Sequence, residues 1–231
     1  MSLYSAIRLF AKKIGNVIYP DHCIHCNNLC TGMICLRCEY QLRKYIDNSS
    51  LGNLFYSHFF NHLQVTFAAS LFPFFKKGVF QTLIHALKYQ SHKDIGQFIG
   101  HQMGTFLLDN ECDLPDVIIP VPLHPKKERK RGYNQAHLLA KGLQEVVNIP
   151  IDCDMLVRNE HSRSQTTKSK IERISSLDTA FAVNHEKTNQ YRHVLLIDDV
   201  ITTGATLRAC INALTRHKNI KISILVAGAG Q

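Results

Sequence analysis

The feature that most constrains the fold of this chain is the stretch Val194–Thr206, VLLIDDVITTGAT. Its first four residues are apolar without alternation, a pattern that is typical of a strand buried on both faces. The carboxylates of Asp198 and Asp199 come next, and a hydroxyl-rich loop then leads into apolar residues at helical spacing. The stretch therefore predicts an α/β protein with an acidic pair at the carboxyl end of a strand, where open sheets bind their ligands.

The residue types of this loop indicate which ligand it suits. Backbone N–H groups at a helix start favour an anion such as phosphate. Gly204 lets the backbone approach that anion closely and take a left-handed or otherwise unusual conformation. The carboxylates of Asp198 and Asp199 would repel a phosphate, but they accept hydrogen bonds from vicinal hydroxyls and help to hold a divalent cation. A group with both a phosphate and two free hydroxyls is a ribose 5-phosphate. The alternative is a plain strand-to-helix turn with a threonine cap.

The same stretch resembles the phosphoribosyl-pyrophosphate (PRPP) loop of type I phosphoribosyltransferases. The resemblance implies their fold, a mostly parallel twisted sheet with flanking helices. It implies that Asp198 and Asp199 are the candidate catalytic residues and bind the ribose hydroxyls, with Mg²⁺ accompanying PRPP. The remaining candidate PRPP-binding residues would surround the 5-phosphate; they are Val200, Thr202, Thr203, Gly204, Ala205 and Thr206.

Five of the eight cysteines lie between residues 21 and 40. Two Cys-x2-Cys pairs, Cys23 with Cys26 and Cys35 with Cys38, match the spacing of a tetrahedral zinc site with sulfur ligands. A segment this short cannot build its own core, so we expect structural Zn²⁺ to supply its folding energy. A redox pair or chance spacing is the alternative. Cys30 is either a free thiol or a replacement for one ligand.

Composition limits the number of domains and the kind of partner. With 231 residues, of which 45% are hydrophobic, the chain has enough material for one sizeable core and a small appendage. A formal charge of +9 favours polyanionic partners such as nucleic acid or phosphate-rich ligands.

The sequence also favours a cytoplasmic protein without a membrane span. No apolar run approaches the roughly 20 residues that a membrane helix needs. The first 20 residues lack a signal-peptide core, because Arg8, Lys12 and Lys13 interrupt their apolar part. Their spacing predicts an amphipathic helix that packs on the domain, with membrane or partner contact as the alternative.

A dense basic run follows the next short apolar strand, Val117–Val121. Its location after a strand end suits pyrophosphate or a nucleic-acid backbone, and we assign DNA binding to it. The alternative is a solvated basic loop. The candidate DNA-binding cations are Lys126, Lys127, Arg129, Lys130 and Arg131.

Weaker patterns complete the expected organisation. Residues 65–75 predict a strand or hairpin, residues 220–227 predict a last strand, and helices are expected around residues 80–87, 95–106 and 139–147. Lys88 and Tyr89 either contact ligand or DNA, or Lys88 simply complements a helix C-terminus. Residues 151–181 are either a mobile flap over a ligand, or an ordinary exposed loop or short hairpin.

Taken in order, several motifs resemble the competence protein F (ComF/ComFC) family over nearly the whole chain. They are the four cysteines named above, Leu87-Lys88-Tyr89, Pro120-Val121-Pro122-Leu123, Arg131-Gly132-Tyr133-Asn134-Gln135, Gln165 with Arg173, Ala180-Phe181 and the PRPP loop. The resemblance implies an N-terminal helix and zinc finger in residues 1–50 and a phosphoribosyltransferase-like domain in residues 51–231. It also implies a pyrophosphate loop made of Val121, Pro122, Leu123 and His124, with Arg131 beside it.

Three functions are compatible with these patterns. The family resemblance favours a cytoplasmic DNA-uptake factor of natural transformation, which handles single-stranded DNA beside a helicase and recombination-mediator proteins and also binds PRPP. The complete PRPP loop alone favours a phosphoribosyltransferase of nucleotide salvage that uses PRPP and Mg²⁺. A zinc-dependent interaction module with a vestigial ligand site is the third possibility.

Overall fold

A computed structural model describes residues 21–47, 59, 62–159, 180–184, 187, 190–216 and 220–230. The predicted N-terminal amphipathic helix lies outside the described residues. So do the polar break at residues 48–50 and residues 160–179 of the predicted flap.

The centre of the described fold is a four-stranded parallel sheet with the strand order β3-β8-β7-β4. Its strands are β3 (Val65–Pro73), β4 (Val117–Pro120), β7 (His193–Ile201) and β8 (Lys221–Ala229). The strand predicted within residues 65–75 therefore spans Val65–Pro73, and the alternative of a hairpin is wrong. The strand that carries the acidic pair lies inside the sheet, between β8 and β4.

Both faces of this sheet are covered. In β7, Leu195 and Ile197 join the hydrophobic core on one face, whereas Val194 and Leu196 join the core on the other. The first core includes helices α2 (Val79–Tyr89), α3 (Asp94–Asp109) and α5 (Gln135–Val147). The second includes helix α6 (Ala205–Thr215) and a two-stranded antiparallel sheet of β5 (Leu156–Arg158) and β6 (Phe181–Val183). The unbroken apolar run is thus explained by burial on both faces.

Helices α3 and α5 approach each other through glycines. A Cβ on Gly100 would lie 2.0 Å from the carbonyl oxygen of Leu139, and a Cβ on Gly142 would lie 2.1 Å from that of Gln97. Since no side chain fits at either position, the two backbones pack directly against each other. This packing fixes α5, whose first residue, Gln135, reaches the candidate site described below.

The cysteine-rich segment forms a small finger that packs on the body of the protein. It consists of the antiparallel strands β1 (Asp21–His22) and β2 (Leu29–Cys30), followed by helix α1 (Leu36–Asp47). Leu42 is buried in the same core as α2, and the Nδ1 atom of His25 lies 2.9 Å from the Oγ1 atom of Thr82 in that helix. The domain boundary near residue 50 stays a prediction.

The predicted fold class is confirmed: an α/β protein with a parallel sheet, flanking helices and a four-cysteine finger. The longest described helix, Asp94–Asp109, has 16 residues. Among the described helices, none combines the length and the apolar character that crossing a membrane requires.

Candidate ribose-phosphate site and metal site

The acidic pair lies inside the last part of β7 rather than after it. Asp198 is the neighbour of Val226 in β8, and the pairing continues to Ile201 beside Ala229. The strand extends beyond the apolar run because backbone pairing with β8 does not depend on apolar side chains. Both carboxylates are therefore on a rigid strand, at the carboxyl edge of the sheet.

The loop after β7 has the backbone conformation that its glycine predicts. Gly204 has a φ of 69°, in the left-handed region that favours glycine, and it directly precedes α6. Thr202 and Thr203 are exposed, and the Thr203 carbonyl accepts a hydrogen bond of 2.6 Å from Nη2 of Arg208. The backbone N–H groups in the first turn of α6 have no intrahelical acceptors. The end of the loop next to α6 can therefore bind an anion.

Asp199 is held by donors from two helices that pack in the same core as its strand. The Nζ atom of Lys88, in the last turn of α2, lies 2.9 Å from Oδ2 of Asp199. Nε2 of Gln135 donates to the same oxygen at 3.2 Å, while Oδ1 accepts the backbone N–H of Val200 at 2.6 Å. Neither alternative for Lys88 included this ion pair. The side chains of Lys88 and Asp199 are 23% and 12% exposed, so their ion pair is partly shielded from water.

The segment Arg131–Gln135 connects the end of α2 to the site. The last carbonyls of a helix lack intrahelical partners. Here the hydroxyl of Tyr133 donates to the carbonyl of Leu87, and Nε of Arg131 donates to that of Lys88 at 3.0 Å. Asn134 donates to the carbonyl of Val121 at 3.0 Å, so the same segment also holds the predicted pyrophosphate loop.

The predicted pyrophosphate loop begins beside the acidic strand. Because β4 and β7 are parallel neighbours, Pro120 lies opposite Ile197, and the N–H of Val121 donates to the Ile197 carbonyl at 2.9 Å. Val121 is buried, and Pro122, Leu123 and His124 are partly exposed. The structure therefore brings the start of this loop and the acidic pair to one edge of the sheet.

Burial and charge repulsion perturb the acidic pair. Burial, and then the negative charge of Asp199, raises the pKa of Asp198 to about 7, although the charges of Lys88 and Arg158 act in the opposite direction. The guanidinium of Arg158 also lies over the ring of Phe181, 5.1 Å from its centroid. Near neutral pH Asp198 thus exists in both protonation states, and it either accepts or donates a hydrogen bond.

The basic run forms a short helix, α4 (Pro125–Arg131), where a loop was the alternative. The ring of His124 accepts the N–H of Lys126 at 3.2 Å, and Gly132, with a φ of 83°, ends the helix. Arg131 turns inward to Lys88 and to the ring of Tyr89, whose centroid is 5.8 Å away. The exposed cations of the run are the other four: Lys126, Lys127, Arg129 and Lys130.

The four predicted zinc ligands come together. The Sγ atoms of Cys23, Cys26, Cys35 and Cys38 all lie within 4.8 Å of one another. A tetrahedral site with Zn–S bonds of about 2.3 Å separates its sulfurs by about 3.8 Å, so a Zn²⁺ ion fits this donor set. Cys30 lies outside the cluster, and its Sγ donates to the carbonyl of Gly32 at 3.1 Å.

Within the cluster, thiolate formation is favoured at Cys23. Burial acts to raise the pKa of Cys23, but backbone hydrogen bonds from Cys26, Cys35 and His25 outweigh it and lower that pKa to about 6. Burial raises the pKa of Cys38. A bound metal would supply the positive charge that holds the remaining sulfurs as thiolates.

Sequence reasoning missed three contributors to the site. Gln135 belongs to a motif that was noticed without a role, and the alternatives for Lys88 did not include an ion pair with Asp199; only the structure shows that both contact that carboxylate. Arg208 was not singled out at all. The signal that could have found it is its place one helical turn after Gly204, which directs a cation back towards the loop.

Comparison with known proteins identifies relatives, although no family model matches the chain. Competence protein F of Haemophilus influenzae is 35% identical over 144 residues, which are 60% of this chain and 62% of that protein. The DNA utilization protein YhgH of Escherichia coli O157:H7 is 31% identical over 139 residues, 58% of this chain and 60% of that protein. Competence protein ComFC of Bacillus subtilis is 37% identical over 98 residues, 42% of this chain and 38% of that protein.

A solved structure is also similar in part. It is the glutamine PRPP amidotransferase of B. subtilis in complex with ADP and GMP. It matches 62% of this chain and 30% of its own, with a TM-score of 0.43 and 19% sequence identity.

The parallel sheet, the acidic pair with its glycine loop and the cysteine cluster define an α/β protein with a finger whose four sulfurs could hold a metal ion. The chain is similar to competence protein F, to YhgH and to ComFC over 42–60% of its length. The alignments span about 60% of the length of the first two of these relatives.

Proposed function

We propose that this chain is a cytoplasmic DNA-uptake factor of natural transformation that binds PRPP at the acidic pair and single-stranded DNA at a basic surface. The observation that carries the PRPP part is the carboxylate of Asp199, which Lys88 and Gln135 orient next to the exposed threonine loop. The names of the relatives, competence protein and DNA utilization protein, support the biological role.

In this proposal each part of the site has one task. Asp198 and Asp199 accept hydrogen bonds from the ribose hydroxyls, and the loop from Thr202 to Thr206 binds the 5-phosphate. The segment Val121–His124 faces the pyrophosphate. Carboxylate oxygens are ligands that Mg²⁺ prefers, and Mg²⁺ bound with PRPP would neutralise the charge of the pyrophosphate.

DNA binds elsewhere in this proposal, because the 2′-hydroxyl that the acidic pair would recognise is absent from DNA. The four exposed cations of α4 and the net charge of +9 suit a phosphate backbone. A helicase and recombination-mediator proteins are the proposed partners in handling the incoming strand.

Calorimetry with PRPP and Mg²⁺ tests the ligand site. We expect the wild type to bind and the Asp198→Asn/Asp199→Asn variant to lose binding, because an amide has one acceptor oxygen instead of two and carries no charge for Mg²⁺. Glu145→Gln, an exposed carboxylate on α5, is the control and should bind like the wild type. Equal binding by wild type and double variant would refute the site.

The salt dependence of single-stranded DNA binding tests the basic surface. Lys126→Ser/Lys127→Ser removes two exposed cations of α4, and Lys76→Ser/Lys77→Ser removes two exposed cations elsewhere. If each lysine contacts one phosphate, the slope of log K against log salt should become shallower by about 1.4 in the first variant only. An equal change in both variants would show that net charge, and not this surface, determines binding.

The complete loop and acidic pair also favour a second function, a phosphoribosyltransferase of nucleotide salvage. In that case PRPP would lose pyrophosphate to a nucleobase. Pyrophosphate release from PRPP, measured with each common nucleobase in turn, distinguishes the two. Base-dependent release that the Asp198→Asn/Asp199→Asn variant lacks would establish the transferase.

A further inference from the structure

The ion pair between Lys88 and Asp199 joins parts of the chain that are far apart in sequence. Lys88 lies in the last turn of α2, Gln135 begins α5, and both contact the same oxygen, Oδ2, of Asp199 in β7. The other oxygen, Oδ1, accepts the N–H of Val200. Because an ionised carboxylate has about four acceptor positions, Oδ1 keeps capacity for one further donor.

Lys88 itself is held at its backbone. Its carbonyl accepts Nε of Arg131 at 3.0 Å, and the preceding carbonyl of Leu87 accepts the hydroxyl of Tyr133. The backbone of Lys88 is therefore held in place, and its ammonium group contacts a carboxylate on a strand inside the sheet. With Lys88 and Gln135 on one oxygen and Val200 on the other, the plane of the Asp199 carboxylate is constrained from both sides.

We propose that Lys88 is a positioning residue for sugar recognition, which, through Asp199, makes the site select ribose 5-phosphates over 2-deoxyribose 5-phosphates. The inference rests on the proposed function, in which this edge of the sheet binds a ribose phosphate. The phosphate of either sugar goes to the loop from Thr202 to Thr206, which Lys88 does not contact in the described structure.

The physical reason is that discrimination of a hydroxyl requires a fixed acceptor. A site built to bond a hydroxyl rejects the analogue that lacks it, because the buried acceptor then loses its partner. An acceptor that is free to rotate finds water instead and discriminates little. Lys88 and Gln135 remove that freedom from Asp199, and Lys88 supplies the stronger, charge-assisted contact.

The experiment compares three ligands with four proteins. Calorimetry measures the affinity for ribose 5-phosphate, 2-deoxyribose 5-phosphate and inorganic phosphate in the wild type, Lys88→Met, Lys88→Arg and Lys141→Met. Lys141 is an exposed lysine on α5, so its variant makes the same change of charge away from the site. Circular dichroism establishes that each variant is folded.

We expect the wild type to prefer ribose 5-phosphate at least about tenfold, as for a hydroxyl bonded to a fixed carboxylate. Lys88→Met should lose most of that preference and keep its affinity for inorganic phosphate. Lys88→Arg should restore part of the preference, and Lys141→Met should match the wild type. A merely structural role would weaken all three ligands together.

Failure of the proposed function and failure of this inference would give different results. A wild type that binds neither sugar phosphate overturns the proposed function and this inference with it. A wild type that prefers ribose 5-phosphate, together with a folded Lys88→Met variant that keeps the same preference, overturns the inference alone. Equal loss of all three ligands in Lys88→Met, with no recovery in Lys88→Arg, also overturns it.

Discussion

The finger and the acidic pair are both held rigidly, but by different physical means. The finger has two strands of two residues and one helix, and its four sulfurs lie within 4.8 Å of one another. The acidic pair lies on a strand whose neighbours are buried on both faces of a sheet. In the finger a bound metal would do what packing does in the body, because so short a segment cannot bury enough apolar surface.

Helix α2 touches both regions. Thr82 lies against His25 of the finger, and Lys88 pairs with Asp199 two turns later. The helix that carries Lys88 therefore packs on one side against the finger, which a metal would stabilise, and on the other against the sheet, which hydrophobic packing stabilises. Variants that remove a metal ligand of the finger, or that disturb the packing of the body, test these two sources of stability separately.

The largest expected effect is the loss of the metal from the finger. Cys23→Ser removes one of four ligands, and structural zinc contributes about 10–16 kcal/mol of apparent binding free energy in small fingers. We expect the zinc-to-protein ratio, measured by atomic emission, to fall well below one and residues 21–47 to become sensitive to protease. The body should keep its cooperative thermal transition.

Cys30→Ser is the matched control, because this cysteine lies in the same segment but outside the cluster. It should retain full zinc content. Stoichiometric zinc in the Cys23→Ser variant would show that Cys23 is not one of the ligands that the metal requires.

A smaller effect is expected from overpacking the body. In Gly100→Ala the new Cβ would lie 2.0 Å from the carbonyl oxygen of Leu139, so α3 and α5 must move apart. Overpacking of this kind lowers the free energy of unfolding by about 1–3 kcal/mol, which calorimetry should register as a fall in Tm of about 2–12 °C. Zinc content should not change.

The exposed neighbour His101 provides the control for this helix. His101→Ala should change the free energy of unfolding by less than about 0.5 kcal/mol. A Gly100→Ala variant as stable as the wild type would mean that the direct backbone packing of α3 on α5 is unimportant for the body.

The smallest effect is a pH dependence that belongs to the acidic pair. The pKa of Asp198 is about 7 in the folded protein, against a usual value of 3.8. Its contribution to stability is fully present below the unfolded pKa and is lost as pH rises through about 7. We expect the Tm to fall by about 2–4 °C between pH 6 and pH 7.5, which corresponds to about 1 kcal/mol.

Asp198→Asn should remove this component of the pH dependence, because an amide does not titrate. Glu145→Gln, an exposed carboxylate on α5, should leave it in place. The same slope in the wild type and in Asp198→Asn would assign the pH dependence to other groups.

Patterns that repeat over a few residues were predictable from the sequence. The apolar run of β7 predicted a strand buried on both faces, and the spacing of Cys23, Cys26, Cys35 and Cys38 predicted the cluster. Boundaries were less predictable: β7 continues through Asp198 to Ile201, because its pairing with β8 depends on the backbone and not on side-chain type.

The sequence by itself therefore determined the local elements: the acidic strand and its left-handed glycine, and the two cysteine pairs. Only the tertiary structure decided that Lys88 and Gln135 meet at Asp199, and that Arg131 turns away from the basic surface. Local patterns follow from short-range sterics and hydrophobic period, which the neighbouring residues contain. Contacts between distant residues depend on how helices pack, here through glycines of α3 and α5, and no short stretch of sequence contains that information.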